Sequence, residues 1–185
     1  MAVFIAMLRG VNVGGHQKLN MEALRSLCTR LGLQDVQSYI QSGNLVFRDD
    51  GADPRVLAHR LQAAIEGKFG FKPGIILRTA AELRRVVAKN PFAGRAGIEP
   101  SRLLVVFLAE KPTPEACAEV SALPSEPEEH ILNGRELYVY YPNGMARPKI
   151  PPARIEKMLQ CVSTGRNWNT VNRLLDMARQ TSQVL

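Results

Sequence analysis

Three stretches of the chain gather residue types that could hold a charged ligand. The first runs Leu8-Arg9-Gly10-Val11-Asn12-Val13-Gly14-Gly15-His16-Gln17-Lys18 and places Arg9, Asn12, Gly14, Gly15 and Lys18 on a connection that leads from a strand into a helix. Glycines let backbone N–H groups turn toward an anion, the start of a helix adds the positive end of its dipole, and Lys18 adds a point charge. The spacing matches neither the nucleoside-triphosphate loop nor the dinucleotide fingerprint, so the stretch also reads as a tight connection whose glycines take left-handed backbone. The second stretch, Gln41-Ser42-Gly43-Asn44, is first of all a hairpin turn, with Ser42 and Asn44 as further donors and acceptors. The third combines residues 142–149 with 165–169 and brings Asn143, Arg147, Lys149, Arg166, Asn167 and the only tryptophan, Trp168. Its cations suit a phosphate and its ring suits a base or sugar. The same residues fit plain architecture, with Trp168 as a core anchor, Asn169 as the cap of a last helix and the cations solvated.

Other reactive residue types are scattered. Cys28, Cys117 and Cys161 are odd in number and form no CxxC pair, which suits small buried hydrophobes better than a disulfide framework or zinc site. His16, His59 and His130 lie at neither helical nor hairpin spacing from one another or from a cysteine, so no metal ligand set is expected. No nucleophile elbow, HExxH helix or Cys/His pair is present, and Glu126, Glu128 and Glu129 read as a solvated connection. The expectation is therefore no metal, no cofactor, and no residue that can be named as nucleophile or general base.

The elements that must position these stretches follow from periodicity and punctuation. Val3 to Leu8 reads as a buried strand, and Asn20 as the cap of a helix carrying Met21, Leu24, Leu27, Cys28 and Leu31 on one face. Strands Val36 to Ile40 and Leu45 to Phe47 flank the turn. A helix from Arg55 to Phe69 follows the Asp53-Pro54 cap, then a strand from Gly74 to Leu77. Thr79 and Glu82 form a capping box for a helix that Pro91 ends. The second half repeats the order, with strand Leu103 to Leu108, a helix from Thr113-Pro114, strands near His130 to Leu132 and Leu137 to Tyr140, helix Ala153 to Gln160, strand Cys161 to Thr164 and a last helix. Both halves read β-α-β-β-α-β-α. The expected fold is α+β, two tandem ferredoxin-like units with an extra helix each, over residues 1–90 and 102–185, joined by a Pro/Gly-rich linker at 91–101. Right-handed crossovers then set residues 10–20 beside 41–44, and 141–149 near 165–169.

At 185 residues the chain buries enough surface to fold without disulfides or metals. Its longest apolar runs, Val3 to Leu8 and Leu103 to Ala109, are far short of the ~18 residues of a bilayer span, so no membrane partner is expected. Without an export signal the expected compartment is the cytoplasm. The net charge of +7 is uneven, with 3 basic and 7 acidic groups in 101–141 but 7 and 2 in 142–185. Three classes of function follow. The first is binding of a small anionic, phosphate-bearing or nucleotide-like ligand at one of the two loop clusters. The second is a nucleic-acid-binding module, against which stand the strands Val3 to Leu8 and Leu103 to Leu108, apolar on both faces rather than presenting aromatics. The third is a protein–protein interaction module.

Taken together, the motifs Leu8-Arg-Gly-Val-Asn-Val-Gly-Gly15, Tyr39-Ile-Gln-Ser-Gly-Asn44, Asn90-Pro-Phe92, Tyr141-Pro-Asn-Gly144 and Gly165-Arg-Asn-Trp-Asn169 resemble one bacterial family of proteins of unknown function. The resemblance covers nearly the whole chain and implies a two-domain α+β structure of ferredoxin-like parts. It implies no activity, substrate, cofactor or catalytic residue.

Overall fold

The computed structural model describes residues 1–15, 17–51 and 53–183. Among these residues the fold is mixed α+β, with six α-helices and two four-stranded antiparallel sheets. The chain forms two compact units, Met1–Arg85 with the chain from Arg173 onward, and Val86–Asn172.

The first sheet comprises β1 (Ala2–Leu8), β2 (Gln34–Tyr39), β3 (Asn44–Asp49) and β4 (Ile75–Thr79) in the order β2-β3-β1-β4. Helix α1 (Met21–Arg30) starts where the Asn20 side chain accepts the Ala23 N–H at 2.9 Å. Helix α2 (Pro54–Phe69) starts where Asp53 accepts from Arg55 N–H at 2.7 Å. Their apolar faces, with Leu24, Leu27 and Cys28 from α1 and Leu57, Leu61 and Ile65 from α2, pack on Phe4, Ala6, Leu8, Leu45 and Phe47 of the sheet. The opposite face of β1, Val3, Ile5 and Met7, is buried as well. On that face Gln37, paired in register with Val46, donates to the Thr181 hydroxyl of helix α6 (Trp168–Gln183) at 3.1 Å.

In the second sheet, β5 (Leu103–Leu108), β6 (Glu129–Asn133), β7 (Glu136–Tyr140) and β8 (Ser163–Asn167) take the order β6-β7-β5-β8. Helices α4 (Pro114–Ser121) and α5 (Pro152–Leu159) place Val120, Ile155 and Leu159 against Leu108, Leu137 and Val139. Here too the other face is closed, with Val105, Phe107 and Tyr138 buried.

Helix α3 (Ala80–Ala88) opens with the expected capping box, in which Glu82 accepts Thr79 N–H at 2.8 Å and Thr79 accepts Glu82 N–H at 3.1 Å. Near its end the Val86 carbonyl accepts the Tyr138 hydroxyl at 2.8 Å. The residues after it are held rather than slack. Phe92 is buried, its ring lies 5.8 Å from that of Tyr140, and Arg95 forks onto Glu129 of β6 at 3.0 and 2.7 Å. The segment 91–101 lies wholly within the second compact unit, and the end of α6 belongs to the first.

Candidate functional site

The loop from β1 to α1 is shaped by one side chain. Asn12 sits in left-handed backbone at φ 56°, accepts the Leu19 N–H at 2.7 Å, and donates through Nδ2 to the Leu19 carbonyl at 2.9 Å and the Gln41 carbonyl at 2.7 Å. Two of these bonds close the loop on itself, and the third fastens it to the β2–β3 hairpin. A backbone bond from Leu8 N–H to the Gly43 carbonyl at 2.9 Å adds a second fastening. Residues 10–20 therefore lie beside 41–44, as the crossover rule requires.

Within this pair of loops the candidate residues have divided roles. Asn12 and Asn44 are spent on structure, since Asn44 is fully buried and its Nδ2 donates to the Tyr39 carbonyl at 3.2 Å and the Ser42 hydroxyl at 2.9 Å. Arg9, Gly14, Gly15 and Lys18 are exposed, and both glycines have positive φ, 60° and 78°. Lys18 makes no hydrogen bond or ion pair among the described residues. His16 lies outside the described residues. No Asp or Glu occurs in 9–20 or 40–43, and the nearest acid along the chain is Glu22 in the first turn of α1. Lys18 and the turned backbone at Gly14 and Gly15 are thus presented to solvent.

The second cluster is committed to the fold. Arg166 is only 7% exposed, stands opposite Val105 on the face turned away from α4 and α5, and donates to the Thr164 hydroxyl and the Gly165 carbonyl, both at 2.8 Å. Burial pushes its guanidinium down to about 10. Asn167 caps α6 by accepting Thr170 N–H at 2.9 Å, so the helix starts before Asn169 and the cap lies two residues ahead of the expected one. Trp168, the first residue of α6, is half-buried and holds the Asn172 amide on its carbonyl at 2.8 Å. Lys149 is drawn to the 126–128 segment, its N–H to Glu128 at 2.8 Å and its Nζ to the Glu126 carbonyl at 3.2 Å. Asn143 and Arg147 are exposed on the same loop, which Arg102 anchors by bonding the Pro142 carbonyl.

Sequence reasoning missed what becomes of the acidic run. Glu126 is exposed, but Glu128 is buried and Glu129 is the partner of Arg95. Two residues after Glu128, within β6, His130 has both ring nitrogens shut off from solvent and without a partner. Burial lowers its pKa, and the Glu128 carboxylate pulls it part of the way back. Among the described residues no group of three or more His, Cys, Asp or Glu could hold a metal ion. No described helix is long and apolar enough to cross a membrane.

Comparison with known proteins bears on this geometry. The model of the family described as "Protein of unknown function (DUF1697)" matches residues 1–138, which include β1, the glycine-rich loop and the β2–β3 hairpin. The chain belongs to that family. DUF1697 carries no activity in its description, and no curated protein matches the chain. Among solved structures the chain is similar to that of the conserved bacterial protein SP0830 from Streptococcus pneumoniae, with a TM-score of 0.74 and 22% identity over 96% of this chain and 98% of that one. At that identity the likeness is one of fold.

Proposed function

We propose that this DUF1697 protein binds a small phosphate-bearing anion at the loop pair 9–18 and 40–43. One observation carries the reading. The Asn12 side chain locks a loop in which Gly14 and Gly15 hold left-handed backbone and Lys18 is exposed, with no acidic residue in either segment. Such a loop presents N–H groups and a cation together, a combination suited to phosphate oxygens. The 142–149 and 165–169 loops are the weaker candidate, because Arg166, Asn167 and Lys149 already serve the fold. The burial of both faces of β1 leaves no stacking surface there for a nucleic acid.

The sheet orders support a finer reading of the architecture as two ferredoxin-like units. In each sheet the first and third strands are central, and the second and fourth are at the edges. That arrangement, with the order β-α-β-β-α-β-α in each half, supports an internal repeat. A cytoplasmic protein suits the three free cysteines.

The test is calorimetric titration with glycerol 3-phosphate at low and moderate salt. Saturable binding that weakens about tenfold in Lys18→Ala, the worth of about 1.4 kcal/mol, is the expected result. Absence of binding, or binding indifferent to Lys18 but lost in Arg147→Ala, rejects the site.

A further inference from the structure

Helix α3 turns a row of cations to solvent. Its exposed positions include Ala81, Arg84, Arg85 and Ala88, and Lys89, also exposed, follows directly after it. The spacing i, i+3, i+4, i+7, i+8 is one face of a helix, turned away from the face that buries Leu83 and Val86. The side chains of Arg84, Arg85 and Lys89 make no hydrogen bond or ion pair among the described residues. The one acid of the helix, Glu82, is taken up at the helix start, where it accepts the N–H and the hydroxyl of Thr79 at 2.8 and 3.2 Å. Elsewhere arginines are paired, Arg60 with Asp49, Arg95 with Glu129 and Arg102 with Glu99. The negative end of the helix dipole favours cations in the last turn, but Arg85 and Lys89, four residues apart on one face, repel each other.

We propose that this face of α3 is a docking surface for the phosphate backbone of a double-stranded nucleic acid. Charge is all that the face offers. Between the cations stand only Ala81 and Ala88, so it has neither the apolar anchors of a protein–protein contact nor an aromatic ring on which an unpaired base stacks. Leu83 and Val86 are already spent on the core, which leaves no apolar side to enter a membrane. A duplex suits such a face, because its bases are stacked inside and its surface is a close array of singly charged phosphates. Arg85 and Lys89 stand about 6 Å apart along the helix axis, and the guanidiniums can fork onto phosphate oxygens while the short alanines let the backbone approach. The whole-chain charge of +7 adds a long-range attraction for the same partner. Such contacts read no sequence, so binding is nonspecific and strongly salt-dependent. No residue of the loop pair takes part, and the two sites stand or fall separately.

The test is fluorescence anisotropy of two labelled short duplexes of mixed sequence, one DNA and one RNA, titrated with the full chain over a range of salt. Binding at low salt to either duplex is expected, and the two arms tell which backbone is preferred. In Arg84→Ala/Arg85→Ala/Lys89→Ala the affinity is expected to fall about tenfold or more, and the plot of log affinity against log salt to become shallower by about 2–3, the share of three phosphate contacts. An unchanged Tm, which alanine at exposed helical positions allows, shows that the loss is not unfolding. Arg154→Ala/Lys157→Ala removes two exposed cations of α5 and is expected to leave the affinity within about threefold. No binding of either duplex at low salt, an unchanged salt slope in the triple variant, or an equal loss in the α5 variant overturns the proposal. Displacement of the duplex by polyglutamate as readily as by unlabelled duplex of equal charge overturns it too, and assigns the face to an acidic protein.

Discussion

Gly43 shows how closely the two loops approach. A Cβ there would lie 2.5 Å from Val11 Cγ2 and 2.8 Å from Leu8 Cβ, on backbone with φ 73°. Gly43→Ala is expected to cost about 2–4 kcal/mol, from overpacking and left-handed strain together, read as a lower urea midpoint. Ile40 is exposed and holds left-handed backbone at φ 48°, so Ile40→Asn has the opposite expected sign, a gain of about 1 kcal/mol from relieved strain. His130 adds a pH dependence. Its folded-state pKa lies below the ordinary 6.5, so the unfolded chain takes up its proton first as the pH falls. The stability from its burial is present above pH 6.5, is lost as the pH drops from there to the folded-state pKa, and changes no further below that. A pH 8 to 5 series of urea midpoints should fall less steeply in His130→Leu; an unchanged slope would show that His130 is not the group responsible. Much at this scale was legible, because Asn20, Asp53 and the Thr79–Glu82 box announce themselves by type and spacing, and all three act as caps. The burial of Glu128 was not, since a run of acids reads as solvated until its partner, here the Lys149 N–H, is known.

Among the elements, β8 is the instructive one. Cys161 to Thr164 looked like the strand because it holds the apolar residues, but the strand is Ser163–Asn167. Its sequence has no alternation to fix which side chains face inward, so only the pairing of Arg166 with Val105 decides that the guanidinium is buried. The long apolar runs were easier. Val3 to Leu8 is buried at every residue, which fits a central strand covered on both sides. The 91–101 segment looks like a linker by composition, yet Tyr140 pins it by donating to the Gly97 carbonyl at 3.0 Å and accepting Glu99 N–H at 3.3 Å. Glycines mark where a chain turns and say nothing of what it then packs against. Tyr140→Phe is expected to lower stability by about 1–2 kcal/mol and to raise proteolytic cutting within 93–99; unchanged cutting would mean that Phe92 and the Arg95–Glu129 pair hold the segment alone.

At the scale of the whole molecule, the meeting of 10–20 with 41–44 was readable from the crossover rule. What the order of elements could not reveal is that the chain from Arg173 onward counts with the first unit. Periodicity shows that Leu174, Leu175 and Ala178 share a face but not which sheet that face meets, and the Gln37–Thr181 bond is what places it. A chain ending at Asn172 should lose hydrogen-exchange protection at β1 and β3, because Leu174, Leu175, Met177 and Ala178 are all buried; protection equal to that of the full chain would refute the assignment. The anion site is tested most directly by amide shifts on titrating glycerol 3-phosphate into the full chain. Saturable changes confined to Gly10, Gly14, Gly15, Lys18 and the 40–43 hairpin are expected, shrinking in Lys18→Ala. Changes centred on 142–149, or none at saturating ester, would contradict the proposed site.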